Sequence, residues 1–355
     1  MMTPRYHTLR IAEVQPETPE CISVKFDLPP ELAPEYRFVQ GQHIGLRATL
    51  DGEELRRSYS ICSGLDDGEI RVAIKKVGGG KFSRWANEAL KAGDQIDVMT
   101  PEGRFFTALD ADKAKQYAAF VAGSGITPVV SLIRTTLARE PKSRFTLVYG
   151  NRRQSSVMFH EALEDLKDRY LTRFRLYNVF SREAQEVDLF NGRIDAAKVK
   201  QFLESLVPPD TIDEAFVCGP LTMIDEVEVA LIAAGVPSQH VHVERFGIPS
   251  DTVPTIDDTE AAQSHIELIV DGIRREVDFI PGQHSILDAG REAGIDLPFS
   301  CKGGMCSTCR AKVLDGQVKM AKNYALEPHE VAEGFVLTCQ SYPLTERVVI
   351  SYDAR

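Results

Sequence analysis

No run of apolar residues in this chain approaches the roughly 20 needed for a bilayer-spanning helix, so a helical membrane protein is excluded. The opening residues, MMTPRYHTLRIAEV, carry no apolar core of a secretory signal, which makes a cytoplasmic location the expectation. Basic charge is in short supply. Lys and Arg number 41 against 52 Asp and Glu, for a net charge of −11. Phosphate backbones are bound by concentrated Lys and Arg, so neither nucleic acid nor membrane is an expected partner. There is no internal repeat and no low-complexity tract, and 25 Gly and 19 Pro in 355 residues leave no room for a collagen-like reading. Also missing are an E-x-x-H pair and an all-α segment able to hold a diiron centre.

Cysteine is sparse and unevenly placed. Of seven, Cys21, Cys62 and Cys218 are scattered, while Cys301, Cys306, Cys309 and Cys339 fall in the last 55 residues. An odd total without a secretory signal points to free thiols and metal ligands rather than disulfides. The four clustered residues read C-x4-C-x2-C, then Cys339 after 29 intervening residues. That is the plant-type spacing for a 2Fe-2S cluster, in which four thiolates hold two irons. Gly303 and Gly304 suit a loop wrapped closely round it, with N–H groups aimed at sulfur. Zinc is the alternative, but zinc ribbons usually pair two C-x2-C knuckles and only one is present.

Pattern and punctuation divide the chain into three. Residues 1–110 hold short alternating runs such as Ile22–Phe26, His43–Leu46 and Ile70–Ile74 between Gly, Asp and Pro turns, which predicts an antiparallel β-barrel. Residues 111–247 alternate strands (Tyr117–Ala122, Phe145–Val148, Phe174–Phe180, Ala215–Val217) with amphipathic helices, which predicts an α/β doubly wound domain. Residues 248–263, with four acids, no base and two prolines, read as a linker able to let the last domain swing. Residues 264–355 open with alternating Ile266, Leu268 and Val270, a turn at Asp271-Gly272 and a helix near Ser285–Glu292, which predicts a small α+β domain.

Three groups of residues carry cofactor chemistry. In Arg57-Ser58-Tyr59-Ser60, an arginine can fork onto a pyrophosphate, a tyrosine can offer its ring to a flavin, and a serine can hydrogen-bond the flavin nitrogen that receives hydride. Gly80-Lys81-Phe82-Ser83 forms a turn that could start a helix with N–H groups facing phosphate. Gly123-Ser124-Gly125-Ile126-Thr127-Pro128 follows a strand and opens a helix, a setting for a nucleotide pyrophosphate. Arg152, the pair Ser181 and Arg182, and Cys218-Gly219-Pro220 all follow predicted parallel strands, where doubly wound sheets bind ligands. Ser181 and Arg182 suit a 2′-phosphate, which favours NADPH over NADH.

In this order the motifs resemble the ferredoxin–NADP reductase superfamily fused to a C-terminal plant-type ferredoxin, over essentially the whole chain. The resemblance implies a β-grasp fold for the last domain and FAD, NADPH and a 2Fe-2S cluster as cofactors. It also implies that Ser60 and Thr127 orient the reacting rings, that Cys218 lies near the nicotinamide, and that Phe246, in Glu244-Arg245-Phe246, covers the flavin. The stretches from Glu53 to Cys62, Asn191 to Asp195 and Asn323 to Pro328 are similar to a narrower family, the reductase subunits of phenylacetyl-CoA epoxidases. That likeness implies the diiron oxygenase subunits of such an epoxidase as partners, with Lys302, Met305 and Arg310 as candidate docking residues. Rival readings are a reductase for another ring or steroid hydroxylase, a self-contained NADPH oxidase, and an electron carrier without hydride transfer.

Overall fold

The computed structural model describes residues 4–245, 261–280, 282 and 285–354. The strands β1 (Tyr6–Thr18), β2 (Cys21–Asp27), β3 (His43–Leu50), β4 (Glu53–Ser60) and β5 (Ile70–Lys75) come first, then α1 (Lys81–Ala89) and β6 (Gln95–Met99). These strands form one six-stranded sheet in the order β4-β3-β6-β1-β2-β5. β2 runs antiparallel to β1 and to β5. Just past β4, Ile61 bridges Val72 of β5, so the two outer strands meet and the sheet closes on itself as a barrel. Its interior takes alternate residues such as Ile11, Val24, Ile44 and Val72, all fully buried.

The middle of the chain is β7 (Gln116–Ala122), α2 (Ile126–Arg139), β8 (Arg144–Asn151), α3 (His160–Arg169), β9 (Phe174–Phe180), α4 (Ala196–Ser205), β10 (Glu214–Gly219), α5 (Leu221–Ala233) and β11 (Val241–Arg245). The sheet order is β11-β10-β7-β8-β9, with every adjacent pair parallel. Helices cover both faces, so the central strands are buried on both sides and read as continuous apolar runs rather than alternations. Val129, Ile133 and Leu137 of α2 fill one face, and Val199, Phe202, Ile224 and Val227 of α4 and α5 fill the other. Two elements are not marked by the sequence pattern. α4 is started by the Asp195 carboxylate, which accepts from the Lys198 amide at 2.8 Å and contributes about 1 kcal/mol as a cap. β11 is only five residues long.

The last segment holds β12 (Ser264–Val270), β13 (Ile273–Phe279), α6 (Ile286–Glu292), β14 (Arg310–Asp315), β15 (Val318–Met320), α7 (Pro328–Ala332), β16 (Phe335–Leu337), β17 (Ser341–Pro343) and β18 (Arg347–Ser351). Its main sheet runs β13-β12-β18-β14-β16, with β12 parallel to β18 between antiparallel pairs, and β15 pairs with β17 separately. The helix expected from Ser285 begins one residue later. Ser285 is its cap, accepting from the Asp288 amide. By compactness the chain divides into two units. One comprises residues 1–7, 45–58 and 247–355, and the other residues 8–44 and 59–246.

Candidate cofactor and electron-transfer site

The nucleotide loop is built by close backbone approach. Gly123–Gly125 makes one tight turn at the carboxyl end of β7, and α2 follows directly. A Cβ on Gly125 would lie 2.3 Å from the Cys218 carbonyl oxygen, so only glycine lets the turn sit on the end of β10. The Thr127 hydroxyl, expected to orient a ring, donates to the Ser124 carbonyl at 3.0 Å and so braces the turn. Tyr149, buried at the end of β8, donates to the Gly123 carbonyl at 3.0 Å, a support that the motif alone does not assign. The Ile126 amide is spent on the Gly123 and Ser124 carbonyls, which removes it from the expected phosphate donors. Pro128 sits in the first turn of α2, where its missing N–H costs nothing.

Strand order gathers the other nucleotide residues. The Ser181 amide donates to the Asn151 carbonyl at 3.0 Å and the Arg182 amide to the Arg152 carbonyl at 2.9 Å. Arg152, Ser181 and Arg182 are thus neighbours at the carboxyl ends of β8 and β9, all exposed. Asn191 holds the next loop by exchanging hydrogen bonds with the backbone of Gln185. Gly219 is buried beside this edge, and Pro220 is the exposed cap of α5.

On the flavin side, β4 carries Arg57, Ser58, Tyr59 and Ser60 in succession. The exposed Arg57 guanidinium folds back to donate to the Arg56 carbonyl at 2.7 Å. Tyr59 packs on Phe82 with ring centroids 5.9 Å apart. Phe82 itself is buried and serves the core. The helix expected after Ser83 starts earlier, at Lys81. Gly80 caps it without a side chain, so the Lys81, Phe82 and Ser83 amides form the donor-rich first turn. The Ser83 hydroxyl is committed internally, accepting from the Val77 amide at 3.1 Å.

Ser60, Cys218 and Glu244 form a group that sequence reasoning only half finds. Cys218 and Glu244 are partners across β10 and β11, and the Ser60 hydroxyl donates to Glu244 Oε2 at 3.5 Å. Glu244 keeps an opening to water, yet the protein around it pushes its carboxyl up to about 8, against the smaller opposing pull of Ser60. Burial, then the proximity of Glu244, pushes the Cys218 thiol well up, so it is held neutral. The signal for Glu244 is the E-R-F element itself. Phe246, the last residue of that element, lies outside the described residues, as do residues 248–260 of the expected linker.

The four clustered cysteines converge as two pairs. Cys301 is hydrogen-bonded with Cys306, and Cys339 with Cys309; each bond, then burial, raises the pKa of Cys301 and Cys339 respectively. Among the described residues no three His, Cys, Asp or Glu side chains converge on a single metal position. Two thiol pairs side by side fit a binuclear cluster, two sulfurs per iron, and fit a single tetrahedral zinc poorly. The Gly303 amide donates to Cys301 Sγ at 3.3 Å, as expected for a cluster loop. Gly303 itself needs no unusual angle. The left-handed positions are Lys302, Gly304 and Ser307, and a Cβ on Gly304 would press to 3.1 Å against the Lys322 carbonyl. Lys302 and Arg310 are less available for docking than expected. Lys302 pairs with Asp288 at 2.6 Å, and Arg310 pairs with the buried Glu330 at 3.0 Å while lying over Phe335.

Comparison with known proteins assigns three domain types along the chain. Residues 9–107 match an oxidoreductase FAD-binding domain, 120–228 an oxidoreductase NAD-binding domain, and 268–344 a 2Fe-2S iron-sulfur cluster binding domain. The chain belongs to the family of oxygenase reductase components that join flavin, nicotinamide-nucleotide and plant-type 2Fe-2S domains. It is 46% identical over 350 residues, 99% of this chain and 98% of the relative, to a subunit of the 1,2-phenylacetyl-CoA epoxidase of Escherichia coli. It is 34% identical over 358 residues, 97% of this chain and 95% of the relative, to the ferredoxin reductase component of a Mycobacterium tuberculosis 3-ketosteroid-9-alpha-monooxygenase. Phthalate dioxygenase reductase shares the fold, with a TM-score of 0.60, 24% identity and 98% of each chain covered. The protein is therefore a flavin-dependent oxidoreductase that passes electrons from a nicotinamide nucleotide through FAD and a 2Fe-2S cluster toward an oxygenase.

Proposed function

We propose that this chain is the NADPH-dependent reductase of a phenylacetyl-CoA epoxidase, serving a separate diiron oxygenase. The observation that carries the reading is near-full-length 46% identity to a subunit of that enzyme. Residues 1–110 hold FAD, 111–247 the nucleotide and 264–355 the cluster, joined by 248–263. Bound FAD supplies the conversion of a two-electron donor's charge into single electrons that a cluster can carry.

The chain's own residues do the positioning. Arg57 and the first-turn amides of α1 take the FAD phosphates, and Tyr59 lies along its ring system. Gly123, Ser124 and Gly125 let the nucleotide backbone come close, with Gly219 and Pro220 beside them. Ser181, Arg182 and Arg152 grip the 2′-phosphate. Cys218, a fully buried neutral thiol, backs the carboxyl end of β10 without placing a charge beside the nucleotide loop. With Glu244 protonated, its carboxyl can donate to Ser60, which frees the serine hydroxyl to donate toward the flavin. With Glu244 ionised, Ser60 turns to the carboxylate instead. Cys301, Cys306, Cys309 and Cys339 hold the irons.

The test is coupled turnover with NADPH, the diiron oxygenase subunits and phenylacetyl-CoA. Epoxide should form in step with NADPH use and only when this chain is present. Reduction of flavin and cluster without product would leave the reductase intact and transfer it to another oxygenase, the steroid or ring hydroxylase reading.

A further inference from the structure

Three contacts tie the β3–β4 hairpin to the loop that precedes the first cluster cysteine, all within one compact unit. The Ser58 hydroxyl donates to the Ser300 hydroxyl at 2.8 Å, and Ser300 adjoins Cys301. Arg56, only 6% exposed, lies over the Phe299 ring at 4.2 Å. Its guanidinium also donates to Asp296 at 3.3 Å and to Glu54 at 3.0 Å. Phe299 is overlaid by two further cations, Arg291 at 4.3 Å and Lys302 at 5.3 Å. The Tyr6 hydroxyl reaches the Phe299 carbonyl at 3.5 Å, and Arg56 lies 5.1 Å from the Tyr6 ring.

A buried arginine is costly unless its charge is matched, and here two carboxylates and two ring faces match it. Cation–π contacts of this kind strengthen when water is excluded. The planar guanidinium meets ring and carboxylate together, which a lysine ammonium cannot do. Nothing in the flavin, nucleotide or cluster chemistry requires Arg56, yet it is the most buried charge on β4.

We propose that Arg56 and Phe299, with the Ser58–Ser300 bond, form a clamp that fixes the cluster loop against the flavin-binding strand and so sets the rate of internal electron transfer. Arg56 is a positioning residue. Its contacts are with Phe299, Asp296, Glu54 and Tyr6, and no bond is made or broken at the clamp. With FAD and the cluster bound, the clamp would hold the loop before Cys301 fixed against Arg56 and Ser58 of β4. The inference rests on the reductase reading above.

The experiment uses the full-length holoprotein and the variants Arg56→Met and Phe299→Leu. Stopped-flow mixing with NADPH separates flavin bleaching from the later loss of cluster absorbance. Amide hydrogen exchange over residues 296–302 gives a second readout that does not depend on turnover. Either variant should leave flavin bleaching unchanged, slow cluster reduction about tenfold or more, and raise exchange over 296–302. The double variant should be no slower than the worse single one. Wild-type cluster reduction in the variants, or unchanged exchange, would overturn the clamp. So would equal slowing of both phases in Arg56→Met, which would assign Arg56 to flavin binding. Failure of NADPH to reduce the wild-type flavin would refute the reductase reading instead, and the exchange arm would still decide whether the clamp exists.

Discussion

Replacing Glu244 with Gln should remove one specific slope from the stability of this protein. The carboxyl moves from an ordinary 4.5 to about 8 in the folded chain because burial penalises its charge. Between those values the folded state holds a proton that the unfolded chain has released. Stability must therefore fall as pH rises through that window, by at most about 1.4 kcal/mol per pH unit. Moving from about pH 5.5 to about pH 7 costs up to about 2 kcal/mol, reduced somewhat by the opening of Glu244 to water. Gln cannot ionise, so the variant should gain roughly that much relative to wild type over the same interval. Trp85, the single tryptophan, lies in the same compact unit as Glu244, and its fluorescence during urea unfolding reports the difference. The same substitution should flatten the pH dependence of flavin reduction near pH 8, because Ser60 then faces a permanent neutral partner. Identical pH slopes in both proteins would refute the reasoning, since a Glu244 ionised at neutral pH could not donate to Ser60.

Gly125→Ala places a methyl 2.3 Å from the Cys218 carbonyl, and overpacking of that kind typically costs about 1–3 kcal/mol. Calorimetry should show nucleotide affinity weakened about tenfold with FAD content unchanged; equal loss of both would point to unfolding. Ser181→Ala combined with Arg182→Gln should cut the preference for NADPH over NADH at least about tenfold in kcat/KM, and an unchanged preference would remove these residues from the 2′-phosphate site. Glu214 tests the fold instead. Burial alone would raise it, but hydrogen bonds from His242, Lys115 and His240 and the Lys115 charge outweigh that and bring it to about 2. A depressed carboxylate contributes stability above its unfolded value of 4.5 that is lost as pH falls toward 2. Glu214→Gln should therefore forfeit roughly 3 kcal/mol at neutral pH and raise the acid-unfolding midpoint.

The parts of this molecule legible in its sequence are those where chemistry demands fixed spacing. The cysteine run announces a binuclear cluster because four thiolates must reach two irons, and the structure brings the sulfurs together in pairs. The parallel sheet is legible because its central strands are apolar on both faces. Side-chain commitments are not. Thr127 and Ser83 carry hydroxyls suited to cofactors, yet both are spent on loop backbone, a fact set by contacts three to six residues away. Glu244 reads as one member of a terminal motif, and only the pairing of β10 with β11 reveals its juxtaposition with Cys218. Arg56 shares a strand with Arg57, and nothing local says that one is buried against Phe299 while the other stays exposed.

The most direct measurement is anaerobic reduction by NADPH followed at flavin and cluster together, in three preparations: holoprotein, flavin-depleted protein and Cys339→Ser. The holoprotein should reduce flavin first and cluster second. In flavin-depleted protein the cluster should stay oxidised, and in Cys339→Ser the flavin should be reduced at the normal rate with no cluster signal. Cluster reduction by NADPH in the absence of flavin, or a holoprotein whose flavin bleaches while its intact cluster never accepts an electron, would contradict this order of transfer.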